Sequence, residues 1–122
     1  MSRFFLVAGA LVMAAGVAAG AYGAHAAKNA AHPEAVRLLQ IAVLYHLVHG
    51  LAVVAVGLAA RDIASRFLAA AGTLFLAGIV LFCGSLWALA MSGSLPLPTA
   101  PVGGLCFIAG WLAFAVGAFR SR

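Results

Sequence analysis

The chain has 122 residues, of which 66% are hydrophobic and only 7% are charged, and its formal net charge is +5. Soluble domains are roughly half apolar and roughly a quarter charged, so this composition excludes a water-soluble fold and makes lipid the solvent. The basic residues stand singly or in pairs at the ends of apolar runs, whereas a nucleic-acid-binding protein would gather them on one basic face, so we expect no nucleic-acid partner.

Four apolar runs follow one another along the chain, at about residues 4–22, 38–60, 67–91 and 100–119. A bilayer is crossed by about 20 apolar residues in a helix, so four crossings use most of the length. We therefore predict an all-α fold, a single four-helix transmembrane domain over residues 1–122 with no separate soluble part. The lipid bilayer is then the principal partner of the chain.

The connections between the runs carry the turn and helix-start signals. Pro33 and Glu34 suit the first turn of a helix, so the second helix is predicted to begin near Pro33, above the membrane surface. We predict that residues 61–66 form a tight turn and that residues 92–98, which carry no charge and two prolines, form a loop.

The orientation follows from the charge distribution. Four crossings place both termini on one side, and that side has more of the basic residues, which favours cytoplasmic N- and C-termini. A cleavable signal is the competing interpretation, because Ala24–His25–Ala26 resembles a cleavage site; however, the first run of about 19 residues exceeds the usual 7–15. The basic residues on the terminal side are Arg3, Arg61, Arg66, Arg120 and Arg122, against Lys28 and Arg37 on the other.

Small residues indicate close helix packing. Gly16 and Gly20 form a small-x3-small motif in helix one, which lets two backbones approach each other. We predict that these two glycines are packing residues in a compact bundle. Self-association or association with other membrane proteins stays open at this point.

Polar side chains inside the apolar runs form the candidate site. Tyr45, His46 and His49 fall within a sector of about 100° on helix two, so this face is predicted to point into the bundle. At 1.5 Å per residue, the polar groups within the spans lie about 9–16 Å below the outer surface. The full candidate polar cluster comprises Tyr22, His25, Gln40, Tyr45, His46, His49, Cys83 and Ser85.

Three interpretations of this cluster compete. The one we favour is a polar core whose hydrogen bonds fix the rotation of the helices, with no cofactor. A metal site would use His46, His49 and either Cys83 or Cys106, because imidazole and thiolate suit copper or zinc. A proton or small-solute pathway is the third, although no carboxylate lies in any span.

Catalysis has little support in the sequence. The two carboxylates, Glu34 and Asp62, are predicted on opposite sides of the membrane, which excludes paired-carboxylate chemistry and a Ser–His–Asp triad. A dyad of Ser85 with a histidine would lack an orienting third group. We therefore expect no enzymatic activity.

Four motifs occur in a fixed order along the chain. They are Gly20–Ala21–Tyr22–Gly23–Ala24–His25, Gln40–x4–Tyr45–His46–x2–His49–Gly50–Leu51–Ala52, Phe75–Leu76–Ala77–Gly78–Ile79–x2–Phe82–x–Gly84–Ser85–Leu86, and Pro101–Val102–Gly103–Gly104–x2–Phe107–x2–Gly110–Trp111. Together they resemble one known family, the domain-of-unknown-function 423 family. Two departures are mild: Tyr22 stands where the family more often has Phe, and Ala100 separates Thr99 from Pro101.

This resemblance implies a small four-span protein of the bacterial inner (plasma) membrane, and it supplies no function. With the residues, it favours a non-enzymatic membrane protein, a structural or accessory subunit of a larger membrane complex. The alternative is a small transporter or metal-handling protein that uses the outer-half cluster of His, Tyr and Cys side chains.

Overall fold

The computed structural model describes residues 1–28, 33–94 and 98–120, and it is all helical over the four spans. The prediction of four helices long and apolar enough to cross a membrane is confirmed. The orientation of the termini stays a prediction. The helices are α1 (Ser2–Lys28), α2 (Pro33–Asp62), α3 (Arg66–Gly78), a π-helical turn (Ile79–Cys83), α4 (Gly84–Ser92) and α5 (Ala100–Phe119).

The helices extend beyond the apolar runs that predicted them. Hydropathy marks only the part of a helix that lies in lipid, whereas the backbone hydrogen bonds continue until a capping or turn residue ends them. Helix α2 begins at Pro33 as predicted. The third span consists of α3, the π-helical turn and α4. It begins after Ser65, whose side chain accepts a hydrogen bond from the amide of Phe67, and it is ended by Gly93, which has a φ of 69°.

Helices α1 and α2 form an antiparallel pair, the first hairpin. Gly9 faces Val54, where an added Cβ would lie 2.8 Å from the backbone nitrogen. Gly57 makes the reverse contact with the backbone of Leu6, also at 2.8 Å. Because a side chain at either position would displace the opposite backbone, these glycines set the separation of the two helices.

The third span and α5 form a second antiparallel pair, the second hairpin. Gly103, Gly110 and Gly117 of α5 recur every seven residues and are all buried. Each lies against a large side chain of the third span, respectively Phe82, Phe75 and Leu68, which themselves recur every seven residues. Antiparallel helices that cross at a shallow angle present the same face at this interval.

The two hairpins dock through their inner members, α2 and the third span. Fully buried side chains along this contact include Val53, Val56, Leu68 and Phe75, each 0% exposed. Helix α1 packs mainly on α2, and α5 mainly on α3, so both are outer helices with one face open. Near its two ends α1 also reaches the third span, where the Phe5 ring packs on Gly72 of α3 and Gly23 faces Trp87 of α4.

Candidate functional site

His46 links α2 to α1. Its Nε2–H donates to the main-chain oxygen of Val12 at 2.9 Å, which fixes that tautomer because a carbonyl can only accept. Gly16 makes this contact accessible: a Cβ there would lie 2.9 Å from Cδ2 of the His46 ring and 2.8 Å from Leu47. Gly16 and His46 therefore form one packing unit, in which the missing side chain leaves the carbonyl of the preceding turn open.

Gly20, the other predicted packing glycine, is less tightly enclosed. A Cβ there would meet only Cγ1 of Val43, at 3.3 Å, and a small side-chain shift relieves such a contact. The buried glycines of α1 are instead Gly9, Gly16 and Gly23, which recur every seven residues. The four-residue motif thus identifies one close contact of this helix correctly, and the period of seven identifies its packing face.

His49 links α2 to α5 and is only 5% exposed. Its Nδ1–H donates to the main-chain oxygen of Tyr45 at 2.8 Å, and its Nε2 accepts from the indole N–H of Trp111 at 3.3 Å. The indole can only donate, so it fixes the neutral Nδ1–H tautomer, the opposite of that of His46. Both ring nitrogens of His49 are occupied by protein groups.

An aromatic cluster surrounds His49. The imidazole stacks on Phe107 with ring centroids 3.5 Å apart and planes 13° apart, and Phe75 meets the Trp111 ring edge-on at 4.9 Å. Offset-stacked and edge-to-face pairs of this kind stabilise packing beyond the area that they bury. The members of the cluster are Tyr45, His49, Phe75, Phe82, Phe107 and Trp111.

The aromatic cluster depends on neighbouring glycines for its space. A Cβ at Gly78 would lie 2.5 Å from the Phe107 ring, and a Cβ at Gly110 would lie 2.7 Å from the Phe75 ring. Sequence reasoning placed neither Phe107 nor Trp111 in the site. The signal that points to Phe107 is Gly78 of the third span, since a large ring on one helix needs a glycine opposite it. None of the described glycines lies against Trp111, so this signal does not reveal it.

Tyr45 lies at the open edge of the aromatic cluster and is 39% exposed. Its ring packs on Phe82 with centroids 4.7 Å apart, and it lines a shallow cleft of about 340 Å³ between α2 and α5. The other lining residues are Leu44, Val48, His49 and Trp111. This cleft is almost entirely apolar and opens where lipid would surround the protein.

Cys83 is the last residue of the π-helical turn and Ser85 follows it at the start of α4, and both are buried. The hydroxyl of Ser85 has no hydrogen-bond partner among the described residues, so the hypothesised dyad with a histidine is not formed there. Nearby, the hydroxyl of Thr99 donates to the main-chain oxygen of Leu81 at 3.1 Å. Wide turns disturb the regular hydrogen bonds of a helix, and Thr99 satisfies a carbonyl in this one from the start of α5.

The remaining predicted residues lie outside this cluster. Tyr22, His25 and Gln40 are exposed, with Tyr22 stacked loosely on Trp87 at a centroid distance of 6.1 Å. Gln40 instead lines a groove of about 370 Å³ between α1 and α2, together with Gly20 and Leu44. The predicted polar cluster is therefore divided: its histidines face different helices, and three of its members face the surroundings.

The side chains proposed for a metal site do not converge. Among residues 1–28, 33–94 and 98–120, no three His, Cys, Asp or Glu side chains lie close enough to share an ion. His46 turns toward α1 and His49 toward α5, so the same face of α2 serves two different neighbours. The lone pair with which His49 could ligate a metal accepts the Trp111 indole hydrogen instead.

The carboxylates lie at opposite ends of α2. Glu34 approaches Arg37 at 3.8 Å in the first turn, and both side chains are largely exposed. Asp62 closes the same helix about 40 Å away, at a rise of 1.5 Å per residue. Both acidic groups thus lie more than one helical turn away from His46 and His49 along α2.

The comparisons with known proteins agree with this architecture. The model of the family described as "Protein of unknown function (DUF423)" matches residues 19–104. Relatives with membrane-protein names cover nearly the whole chain, and no solved structure matches it significantly. These relatives include UPF0382 membrane protein SH2409 of Staphylococcus haemolyticus, 34% identical over 97% of each chain, and UPF0382 membrane protein YwdK of Bacillus subtilis, 32% identical over 97% of this chain and 98% of its own.

A third relative also specifies the membrane. The UPF0382 inner membrane protein YgdD of Escherichia coli is 35% identical over 99% of this chain and 93% of its own. Together with the four candidate spans, these names confirm the predicted multi-pass membrane placement. The matched region extends from the end of α1 to the start of α5 and contains both histidines of α2, so this chain belongs to the DUF423 family of membrane proteins.

Proposed function

We propose that this chain is a non-catalytic component of the inner membrane, an accessory or structural subunit that acts through contacts of its lipid-facing helix surfaces. The observation that carries the proposal is the use of the two α2 histidines. Each joins α2 to another helix by a hydrogen bond, His46 to α1 and His49 to α5. Polar groups that could carry chemistry in the membrane are thereby used to hold the helices together.

The outer faces of α1 and α5 support a role in binding other membrane proteins, and they differ in character. The open face of α5 carries bulky side chains such as Leu105 and Leu112, 66% and 64% exposed, which suit contact with lipid. The open face of α1 also carries bulky side chains, such as Leu11 at 66% exposed, but between them it is rich in alanine. Its exposed alanines are Ala10, Ala14, Ala15, Ala18, Ala21 and Ala24.

Exposed small residues favour a helix partner over lipid. Within a membrane, helices associate by close packing of small residues, because lipid gives no hydrophobic force between them. Ala14 and Ala18 are four residues apart on this face, which is the spacing that permits close backbone approach. We therefore assign the partner contact to α1.

The test is extraction of the tagged full-length chain in a mild detergent, followed by native mass analysis. We expect an assembly larger than the monomer, and we expect Ala14→Trp plus Ala18→Trp to release the monomer without lowering its thermal stability. Ala42→Trp is the matched control: Ala42 is 0% exposed, so this variant should lose stability. A wild type that stays monomeric in every mild detergent, or an assembly that survives the double substitution, would overturn the proposal.

The transporter and metal-handling alternative is tested in the same preparation. A stoichiometric metal or small solute bound to the wild type, and lost in His46→Gln and His49→Asn, would replace the accessory role. We expect both variants to match the wild type in bound species and to remain folded, because interhelical hydrogen bonds contribute only about 0.6 kcal/mol on average.

A further inference from the structure

Two arginines from different helices converge on one aromatic ring at the end of the second hairpin. The guanidinium carbon of Arg66, at the start of α3, lies 5.4 Å from the centroid of Phe67. That of Arg120, just beyond α5, lies 5.0 Å from the same centroid. Cation–π attraction holds each guanidinium near the ring, and it places two like charges within roughly 10 Å of each other.

Within residues 1–28, 33–94 and 98–120, neither of these two charges is neutralised by an ion pair. In the described part of the chain, Arg37 and Glu34 form the only ion pair, and it lies at the other end of α2. Asp62 is the one carboxylate among the described residues that line the same cleft, and it comes within ion-pairing distance of neither arginine. The local field is therefore positive and favours an anion.

The arginines border a polar cleft with room for such an anion. The cleft has a volume of about 370 Å³ and is lined by Asp62, Ile63, Ala64, Ser65, Arg66, Phe67 and Arg120. The Ser65 oxygen accepts from the amide of Phe67 at 3.2 Å, which leaves its hydroxyl hydrogen free to donate. The N-terminus of α3 and the C-termini of α2 and α5 meet at this cleft with partial charges of opposite sign, so the two arginines supply its positive charge.

The cleft lies where the apolar spans end, which is the depth of lipid phosphates. We propose that Arg66 and Arg120 bind the phosphate of an anionic phospholipid headgroup in this cleft. Guanidinium groups suit this role because their planar N–H donors match phosphate oxygens in pairs. The Phe67 ring, whose centroid lies 5.4 Å and 5.0 Å from the two guanidinium carbons, offers an apolar surface beside the phosphate, so an amphiphile fits the site better than free phosphate does.

The experiment titrates phosphatidylglycerol into the full chain purified in a neutral detergent and measures the concentration for half-maximal thermal stabilisation. Phosphatidylcholine and inorganic phosphate are titrated in parallel. Each surface arginine contributes about 1 kcal/mol to the attraction of anionic lipid, so Arg66→Gln and Arg120→Gln should each raise the half-maximal concentration about fivefold. Arg61→Gln is the matched control, since Arg61 carries the same charge nearby but does not line the cleft.

The three titrations distinguish a lipid headgroup from free phosphate as the anion bound in the cleft. Stabilisation by phosphatidylglycerol that both cleft variants weaken, and that Arg61→Gln leaves within twofold, supports the site. If Arg61→Gln weakens the stabilisation by phosphatidylglycerol as much as the cleft variants do, the effect is general charge attraction and the proposed site is wrong. Equal stabilisation by phosphatidylcholine would also contradict the site. Stabilisation by inorganic phosphate alone would overturn the lipid assignment. Circular dichroism confirms folding, and if Arg66→Gln does not fold, Arg120→Gln at the end of α5 decides the question.

Discussion

The adjacent pair Gly103 and Gly104 allows the packing of the second hairpin to be tested within one helix. An alanine at Gly103 would place its Cβ 2.7 Å from Cβ and 2.9 Å from Cα of Phe82, and in overlap with the Phe82 backbone nitrogen. An alanine at Gly104 would have no neighbour within 4 Å. The same chemical change is thus made one residue apart, against a backbone in one case and into open space in the other.

We expect Gly103→Ala and Gly104→Ala to change the stability of the protein in opposite directions. Carbon atoms in good contact are about 3.5–4.0 Å apart, so Gly103→Ala requires α5 and the third span to separate by roughly 1 Å. No rotamer change relieves a clash with backbone, and overpacking of this kind costs about 1–3 kcal/mol or more. Gly104→Ala gains helix propensity of up to about 1 kcal/mol with nothing opposing it.

The assay is thermal unfolding of the purified chain in one detergent, followed by circular dichroism. We expect the midpoint of Gly103→Ala to fall roughly 5–15 °C below that of the wild type, and that of Gly104→Ala to equal or exceed it. Equal midpoints for the two variants would refute the assignment of Gly103 to the contact with Phe82. A larger fall in the unfolding midpoint for Gly104→Ala than for Gly103→Ala would mean that the side of α5 that carries Gly104 is the packed one.

Three further predictions follow from the same contacts and from the charges. Gly16→Ala should lower the unfolding midpoint in detergent more than Gly20→Ala, and the reverse order would mean that His46 does not need the open carbonyl beside it. Trp111→Phe should cost about 0.6–1 kcal/mol, because it removes the indole donor to His49 and keeps most of the ring packing, and unchanged stability would contradict that hydrogen bond. In a variant without native cysteines, a cysteine at Asn29 should react with an impermeant thiol reagent in intact cells and one at Ser121 should not; the opposite pattern would reverse the predicted orientation.

The four spans were predictable because each is a long apolar run, and hydropathy is a property of the local sequence. The π-helical turn at Ile79–Cys83 was not predictable in this way, because its residues are as apolar as their neighbours. Its supporting contact comes from Thr99, which lies 18 residues away from Leu81 in sequence. Only the packing of α5 on the third span brings these two groups together.

The polar residues of α2 show a similar division. Helical spacing predicts that Tyr45, His46 and His49 share one sector that points into the bundle. The two histidines do contact other helices, whereas Tyr45 lies at an open edge and is 39% exposed. Spacing within one helix cannot show which neighbour each side chain meets. The partners, Val12 in α1 and Trp111 in α5, come from opposite ends of the chain, so the site separates into two linkages instead of one cluster.

The division into two hairpins has a consequence for how the chain assembles during synthesis. Contacts within a hairpin join segments that are close in sequence, and such contacts form earlier than distant ones. Helix α1 can therefore pair with α2 while the second hairpin is still on the ribosome. The Phe5 ring can pack on Gly72 only after the third span has been made. Helix α1, the first span to be synthesised, is therefore among the last to complete its contacts.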